Sequence, residues 1–346
     1  MIEQSDTLKR DTLKTDLFTT TPQSIAVPGS TFSREVRKIA RESEANGYKG
    51  TLIYSDNRLV DPWTVATVLI EETENLLPMI ALQPVYMHPY TVAKKISSIA
   101  LLYNRQLSLN LIAGGFKNDL LALGDDTEHD RRYDRLIEYT QIIQGLLKGE
   151  RVTLDGDFYS VKNLKLEPEL PDDLQPLYYL SGSSDAARRS AGLLSASLIE
   201  YPEPQESYRR QHAGNGTLPT GIRIGVLARE SHEEAWEEAM NRFPKTREGA
   251  LTHQLAKKTS DSDWHKKLSE QGEQMNGERE VYWLGPFKHY HTFCPYLVGN
   301  YEEVSDELTH YLQAGCGTCI LDIPVSEAEL IHTKLVFKKA EERVTV

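Results

Sequence analysis

The sequence is poor in cysteine, in long apolar runs and in positive charge, and each shortage closes a route. Three cysteines, Cys294, Cys316 and Cys319, cannot pair completely, and no charged-then-apolar leader opens the chain. A disulfide scaffold is therefore ruled out, and a reducing, cytoplasmic setting is expected. The longest apolar stretches, Leu107 to Ala113 and Leu193 to Ile199, are too short to cross a bilayer. Lys plus Arg number 39 against 51 Asp plus Glu, a formal net charge of −12. Phosphate backbones and anionic lipid heads would repel such a chain, so neither nucleic acid nor a membrane is expected as a partner. No GxGxxG run follows a strand-like segment, which argues against a Rossmann nicotinamide site, and neither GxSxG nor a Walker sequence occurs.

What the sequence does have is alternation. Short β-rich runs recur at Thr15 to Thr20, Gly50 to Tyr54, Met79 to Gln83, Leu107 to Ala113, Leu177 to Ser181, Ser195 to Glu200, Ile222 to Arg229 and Thr318 to Ile323. The stretches between them are long enough for the helical crossovers that parallel neighbours need. Helical faces are legible in Val36, Ile39, Ala40 and Ser43, stopped at Asn46-Gly47, and in Val92, Ile96, Ile99 and Tyr103. Asp61-Pro62 reads as a capping carboxylate before a first-turn proline, and Ser231-His232-Glu233-Glu234 as a capping box. Leu136, Ile137, Thr140, Ile143 and Leu147 define a long helix, and Val304, Leu308, Tyr311 and Leu312 a late one. Eight strands alternating with about eight helices predict an α/β fold, a (β/α)8 TIM barrel, in 346 residues rather than the ~250 typical of it.

The surplus is assigned to insertions. Val152 to Leu166 alternates around Asp155-Gly156 like a β-hairpin. Between Phe243 and Asn300 runs a long polar segment ending in Tyr282, Trp283, Phe287, Tyr290 and Phe293, expected to be a lid loop. Residues 1–14 read as a flexible tail, 15–346 as one barrel domain, and the insertions as about 150–176 and 244–300.

In such barrels the reactive groups stand at the C-terminal ends of the strands. Ser181-Gly182-Ser183-Ser184 before Asp185-Ala186-Ala187-Arg188 puts small hydroxyl residues at a helix N-terminus, where unpaired N–H groups and the dipole favour a phosphate. A plain serine cap is the alternative. His129 and Tyr133, four apart, share a helix face and could both donate to one ligand, or simply open a solvated helix. No Glu or second histidine stands at ligand spacing nearby to make the pair a metal site. Cys316 and Cys319 have redox or zinc spacing, but Cys319 lies inside a strand and no second pair exists, so both read as structural.

The chain resembles the bacterial luciferase-like flavin-dependent monooxygenases, most closely their alkanesulfonate monooxygenase branch. The resemblance is carried by Gly47-Tyr48-Lys49-Gly50 with Asp61-Pro62-Trp63, Ile80-Ala81-Leu82-Gln83-Pro84, and Leu109-Asn110-Leu111-Ile112-Ala113-Gly114-Gly115. It continues through His129-Asp130-Arg131-Arg132-Tyr133, Leu180-Ser181-Gly182-Ser183-Ser184, Tyr201-Pro202-Glu203-Pro204, Gly221-Ile222-Arg223 with Glu234-Ala235-Trp236, and Leu297-Val298-Gly299-Asn300, in the family's order. The resemblance implies a barrel that takes FMN as FMNH2 from a separate flavin reductase, reacts it with O2 to a flavin C4a-peroxide, and oxygenates a small organic substrate. It further implies that Ser183 and Ser184 with Tyr133 hold the FMN phosphate, that Gln83, Asn110 and His129 line the ribityl chain and ring, and that the protein is a homodimer or homotetramer.

The departures from that branch are equally specific. Where its members carry a cysteine after strand two, a histidine on strand seven and a lid arginine, this chain aligns Leu59, Gly225 and approximately Tyr290, and Tyr201 stands in place of a tryptophan. The sulfonate set is not retained, which opens the substrate to amines, carrier-bound acyl groups, sulfur compounds and specialised-metabolite intermediates. Arg223, Lys288, His289 and His291 remain as donors for an anion. Arg223 is taken as a site residue from among them, and Tyr201 and His291 as a proton donor or substrate contact. Two other readings stay open: a deazaflavin-dependent hydride-transfer enzyme of the same superfamily, and a non-catalytic barrel that binds a ligand or partner.

Overall fold

A computed structural model describes residues 14–212, 218–259, 263–274 and 279–345. The tail read at residues 1–14 lies, but for Lys14, outside the described residues. The elements in chain order are β1 (Asp16–Thr20), α1 (Gly29–Ala45), β2 (Gly50–Ile53), α2 (Pro62–Glu72), β3 (Leu77–Leu82), α3 (Pro89–Tyr103), β4 (Ser108–Leu111), α4 (Lys117–Ala122) and α5 (His129–Leu147). The hairpin strands β5 (Val152–Asp155) and β6 (Ser160–Leu164) follow, then β7 (Leu177–Ser181), α6 (Asp185–Leu194), β8 (Ser197–Glu200), α7 (Gln205–His212), β9 (Thr220–Arg229) and α8 (His232–Arg242). The last group is α9 (Arg247–Thr259), α10 (Asp263–Gln274), β10 (Tyr282–Trp283), α11 (Gly285–Lys288), β11 (Tyr296–Asn300), α12 (Tyr301–Gln313), β12 (Cys316–Leu321) and α13 (Glu327–Thr345).

Eight of these strands close on themselves in the order β1-β2-β3-β4-β7-β8-β9-β12, every pairing parallel, with β12 returning to β1. They are the eight strands expected from the alternation, and the fold is the (β/α)8 barrel. Strand β9 is ten residues long and outruns the barrel. Its second half pairs with β11, which in turn holds β10 antiparallel.

Local signals set the helix ends. Asp61 accepts from the Thr64 N–H at 2.9 Å before Pro62, and Gly47 takes φ +69° where α1 stops. Ser231 caps α8 by accepting from the Glu234 N–H, while a complete capping box occurs instead at Asn300 and Glu303 on α12. Helix α13 carries buried Leu330, Val336, Phe337 and Ala340 and closes the barrel wall after β12, an element the periodicity reading left out.

The segment expected as a lid loop is largely helical, as α9 and α10. Around α10 the buried stripe is His265, Leu268, Ser269 and Gly272, which has helical spacing but a single large apolar residue. A hydrophobicity pattern cannot reveal such a stripe, because three of its four members are polar or lack a side chain. The cysteines are free and buried, with Cys316 Sγ 3.8 Å from Cys319 Sγ.

Inside the barrel, Phe18, Leu52, Met79, Ala81, Tyr179, Ile199 and Ile320 form a packed plug. Successive strand side chains face opposite ways, so a residue two positions further on points into the barrel one layer higher. That rule yields Tyr54 after Leu52, Gln83 after Ala81, Ser181 after Tyr179, Tyr201 after Ile199 and Asp322 after Ile320. The plug is the floor on which the functional cavity stands.

Candidate active site at the barrel mouth

A cavity of about 200 Å3 opens above that floor at the C-terminal ends of the strands. Its walls include Tyr54, Gln83, Asn110, His129, Tyr133, Ser181, Gly182, Ser183, Ser184, Tyr201 and Arg223. Eight of the nine residues singled out from the sequence therefore share one cavity.

The ninth, His291, does not. It is exposed, its Nε2 donates to the Pro244 carbonyl at 2.8 Å, and its ring lies beside Phe243. The preceding Tyr290 adopts φ +58°, and the turn this makes sends His291 outward while Phe293 reaches the cavity. Lys288 and His289 are likewise not among the lining residues.

The side chains from β4, β7 and α6 form one corner. Ser181 Oγ donates to Asn110 Oδ1 at 2.8 Å, tying two neighbouring strand ends together. Ser184 caps α6, its Oγ accepting from the Ala187 N–H at 3.2 Å. Ser183 Oγ is buried and has no hydrogen-bond partner. Gly182 is pressed against its surroundings: a Cβ there would stand 2.6 Å from Tyr133 Oη and 2.7 Å from Ala187 Cβ. Tyr133 is buried, and the His129 ring meets it edge-on at 5.4 Å. The corner thus offers the first-turn N–H groups of a ten-residue helix, an unused hydroxyl and a phenol around a backbone with no side chain. Each of these groups can donate a hydrogen bond, which is what a phosphate requires.

The opposite chemistry at the floor comes from β9. Arg223 is 7 % exposed, and its guanidinium crosses the barrel to donate to Tyr54 Oη from the end of β2, lying 5.1 Å from the centre of that ring. Its Nε has no partner. Tyr201 stands alongside, and burial pushes its phenol up to about 12, with the nearby Arg223 charge working against that rise. Tyr54 is also raised by burial. Both phenols keep their protons at neutral pH, and both line the cavity.

At the rim, exposed Arg58 pairs with Asp56 at 3.1 Å. Asp119 is pushed above the ordinary carboxylate range by burial and by the Asp56 charge. Leu59, Phe116, Trp264 and Phe293 supply apolar walls. Gly225 is a close-approach position: a Cβ would fall 2.2 Å from the ring of Tyr296, whose hydroxyl donates to Asp322 at 2.8 Å. A tyrosine from β11 therefore fills the space beside β9 at Gly225.

Tyr54 and Trp264 are among the cavity residues that sequence reasoning did not take as site residues. Tyr54 was reachable, since it ends a strand and has the inward parity. Trp264 had no usable signal, because it sits on a polar helix of the 244–295 segment.

The sequence profile of the family described as luciferase-like monooxygenase matches residues 14–318. The chain is 36% identical over 307 residues, 87% of its own length and 89% of the relative's, to 4-(gamma-L-glutamylamino)butanoyl-[BtrI acyl-carrier protein] monooxygenase BtrO of Niallia circulans. Among solved structures it resembles EDTA monooxygenase (EmoA) from Chelativorans sp. BNC1 at 16% identity and TM-score 0.74, over 95% of this chain and 94% of that one. It also resembles riboflavin lyase (RcaE), solved with modified FMN and riboflavin, at 16% identity and TM-score 0.72, over 95% and 92%. Members of this fold include an F420-dependent secondary alcohol dehydrogenase, at 16% identity and TM-score 0.65 over 94% and 99%. No described helix is long and apolar enough to cross a membrane. With a profile match spanning most of its length and a close full-length relative, the chain belongs to the luciferase-like monooxygenase family and is an oxidoreductase.

Proposed function

We propose that the protein is a two-component monooxygenase that receives reduced FMN from a separate flavin reductase and uses O2 to oxygenate a small organic substrate bearing an anionic or carrier-linked acyl group. The observation that carries this is the corner at β7 and α6: a buried, unpartnered Ser183 hydroxyl beside a glycine that leaves no room for a side chain, in the cavity that also holds Gln83, Asn110 and His129. On this reading Ser183, Ser184 and Tyr133 hold the FMN phosphate. Gln83, Asn110 and His129 face the ribityl chain and ring. Bound FMNH2 supplies two electrons to O2, so that one oxygen atom goes to substrate and the other leaves as water.

The protein's own groups do the rest. Arg223 offers a buried cation to a carboxylate or similar anion, a donor set that works best where water is kept out. Tyr201, protonated far into the alkaline range, donates a hydrogen bond or proton to the reacting group. Leu59, Phe116, Trp264 and Phe293 exclude the water that would otherwise divert the oxidant to hydrogen peroxide. The kinship with alkanesulfonate monooxygenases lies in the ordered motifs and not in the substrate, because the sulfonate-contacting set is replaced. The relative that acts on a carrier-bound butanoyl group supports an acyl substrate. We further propose one domain over 15–346, a homodimer or homotetramer, and a cytoplasmic setting in which the reductase operates.

Anaerobic titration tests the reading. Reduced FMN should bind at least about tenfold tighter than reduced riboflavin, the worth of one charge-assisted hydrogen bond to the phosphate, and a deazaflavin should bind weakly. Absence of binding by either redox state of FMN refutes it, and tighter binding of the deazaflavin transfers the site to hydride-transfer chemistry. A sulfite-release assay on short alkanesulfonates should be negative.

A further inference from the structure

Two cavities meet at the barrel mouth, and one aromatic pair separates them. The smaller, of about 10 Å3, is bounded by Ser183, Glu200, Tyr201, Glu203, Trp264 and Lys267 among others. Only Ser183, Tyr201 and Trp264 line both. The rings of Tyr201 and Trp264 stack at 4.4 Å with 30° between their planes. Trp264 comes from α10 in the insertion, and behind it lie the His265 ring at 5.4 Å and Phe287 at 6.3 Å. Tyr201 comes from the end of β8 in the barrel, beside the Arg223 cation. The partition is therefore half barrel and half insertion, apolar in its faces, with the charged groups Glu200, Glu203 and Lys267 on its far side.

We propose that Trp264 is a specificity-determining residue: its indole is the end wall of the substrate compartment and limits the length of an acyl chain whose anionic end lies at Arg223. The proposal rests on the flavin-oxygenase reading for naming that compartment a substrate site. A chain extending from Arg223 along Tyr201 gains apolar contact with each methylene until it reaches the indole, beyond which a further methylene must displace the stack. Removing the indole frees the volume of its own ring for the chain, with the smaller cavity only a water-sized space behind it.

The experiment measures calorimetric affinities of straight-chain carboxylates, butanoate to dodecanoate, for the FMN-loaded protein. In the wild type, affinity should rise by up to about fourfold per methylene and then stop rising at a defined length. In Trp264→Ala that break should move out by at least two methylenes, and in Trp264→Phe, which keeps an aromatic face and the fold, by about one, the shorter reach of the smaller ring. Affinity for FMN itself should stay within about threefold of wild type in both variants, because the proposed phosphate donors Ser183, Ser184 and Tyr133 stand on barrel elements and are unchanged. A break at the same length in all three proteins, a profile with no break, or no carboxylate binding to the wild type overturns the proposal. Failure of the wild type to bind FMN overturns the flavin reading instead, and the two failures are told apart by the FMN titration alone.

Discussion

The change Gly182→Ala adds one methyl group where the phosphate corner is tightest. Its Cβ would sit 2.6 Å from Tyr133 Oη and 2.7 Å from Ala187 Cβ, well inside normal carbon contact. Tyr133 is buried and Ala187 is fixed in the first turn of α6, so the strain moves either the phenol or the helix end. Overpacking of this kind costs about 1–3 kcal/mol of stability. On the proposed reading the larger effect falls on FMN, because the displaced groups are the proposed phosphate donors. Losing one or two charge-assisted hydrogen bonds, about 1.5–3 kcal/mol each, weakens FMN by ten- to more than a hundredfold. Riboflavin, which has no phosphate, should lose no more than about threefold, the part due to general distortion. Flavin-fluorescence titrations of both ligands, with thermal melts alongside, give the comparison. Ser183→Ala is the companion: its hydroxyl has no partner to lose, so stability should be unchanged or slightly higher while FMN weakens about tenfold. Equal losses for FMN and riboflavin in Gly182→Ala, or unaltered FMN affinity in Ser183→Ala, would refute the assignment of the phosphate to this corner.

Arg223→Met removes a buried cation with one hydrogen-bond partner, so chemical denaturation should show stability unchanged or raised, while carboxylate binding drops by tenfold or more, about the worth of a charged hydrogen bond. Gly225→Ala drives a methyl into the Tyr296 ring, held by Asp322, and should cost about 1–3 kcal/mol. Gly192→Ala on α6 meets nothing within 4 Å and should stabilise by up to about 1 kcal/mol, the helix preference of alanine over glycine. Tyr86, Tyr159 and Tyr201 are each pushed up to about 12 by burial, so the folded state holds protons that the unfolded chain releases near pH 10. Their contribution is complete below pH 10 and is lost as pH rises from about 10 to 12. Melting temperatures should therefore be flat through pH 7–9 and fall steeply above 10; a fall beginning near pH 8 would contradict the burial of these phenols.

The barrel was legible because its strands repeat a simple physical pattern. Each of the eight runs is rich in β-branched or apolar residues, bounded by turn or cap residues such as Asn46-Gly47 and Asp61-Pro62. The corner at Ser181 to Ser184 was legible for a related reason: a strand end followed at once by a capped helix is a local event. Tyr54 and Arg223 were visible singly, but their hydrogen bond spans 169 residues of sequence and depends on barrel closure. His291 misled because one positive φ at Tyr290 decides which neighbour turns inward, and nothing in a single sequence fixes that angle at a non-glycine residue. Helix α10 was hidden for another reason, since its buried stripe is built of histidine, serine and glycine around Leu268.

The cavity consequently has walls of two origins, and they carry different tasks. Gln83, Asn110, Ser181, Tyr201 and Arg223 are fixed by barrel register: each follows its floor residue or strand by the period of two, and none can shift without moving a strand. Trp264 and Phe293 come from the insertion, where helices with few large apolar contacts are free to change in sequence without disturbing the ladder. The phosphate corner lies wholly on barrel elements, whereas the partition between the two cavities is shared. Changes at Trp264 should therefore alter which chain fits while leaving the phosphate donors in place, and changes at Gly182 should do the reverse. On the proposed reading, a cofactor site on the rigid part and a length limit on the replaceable part would let one barrel keep its flavin chemistry while its substrate changes.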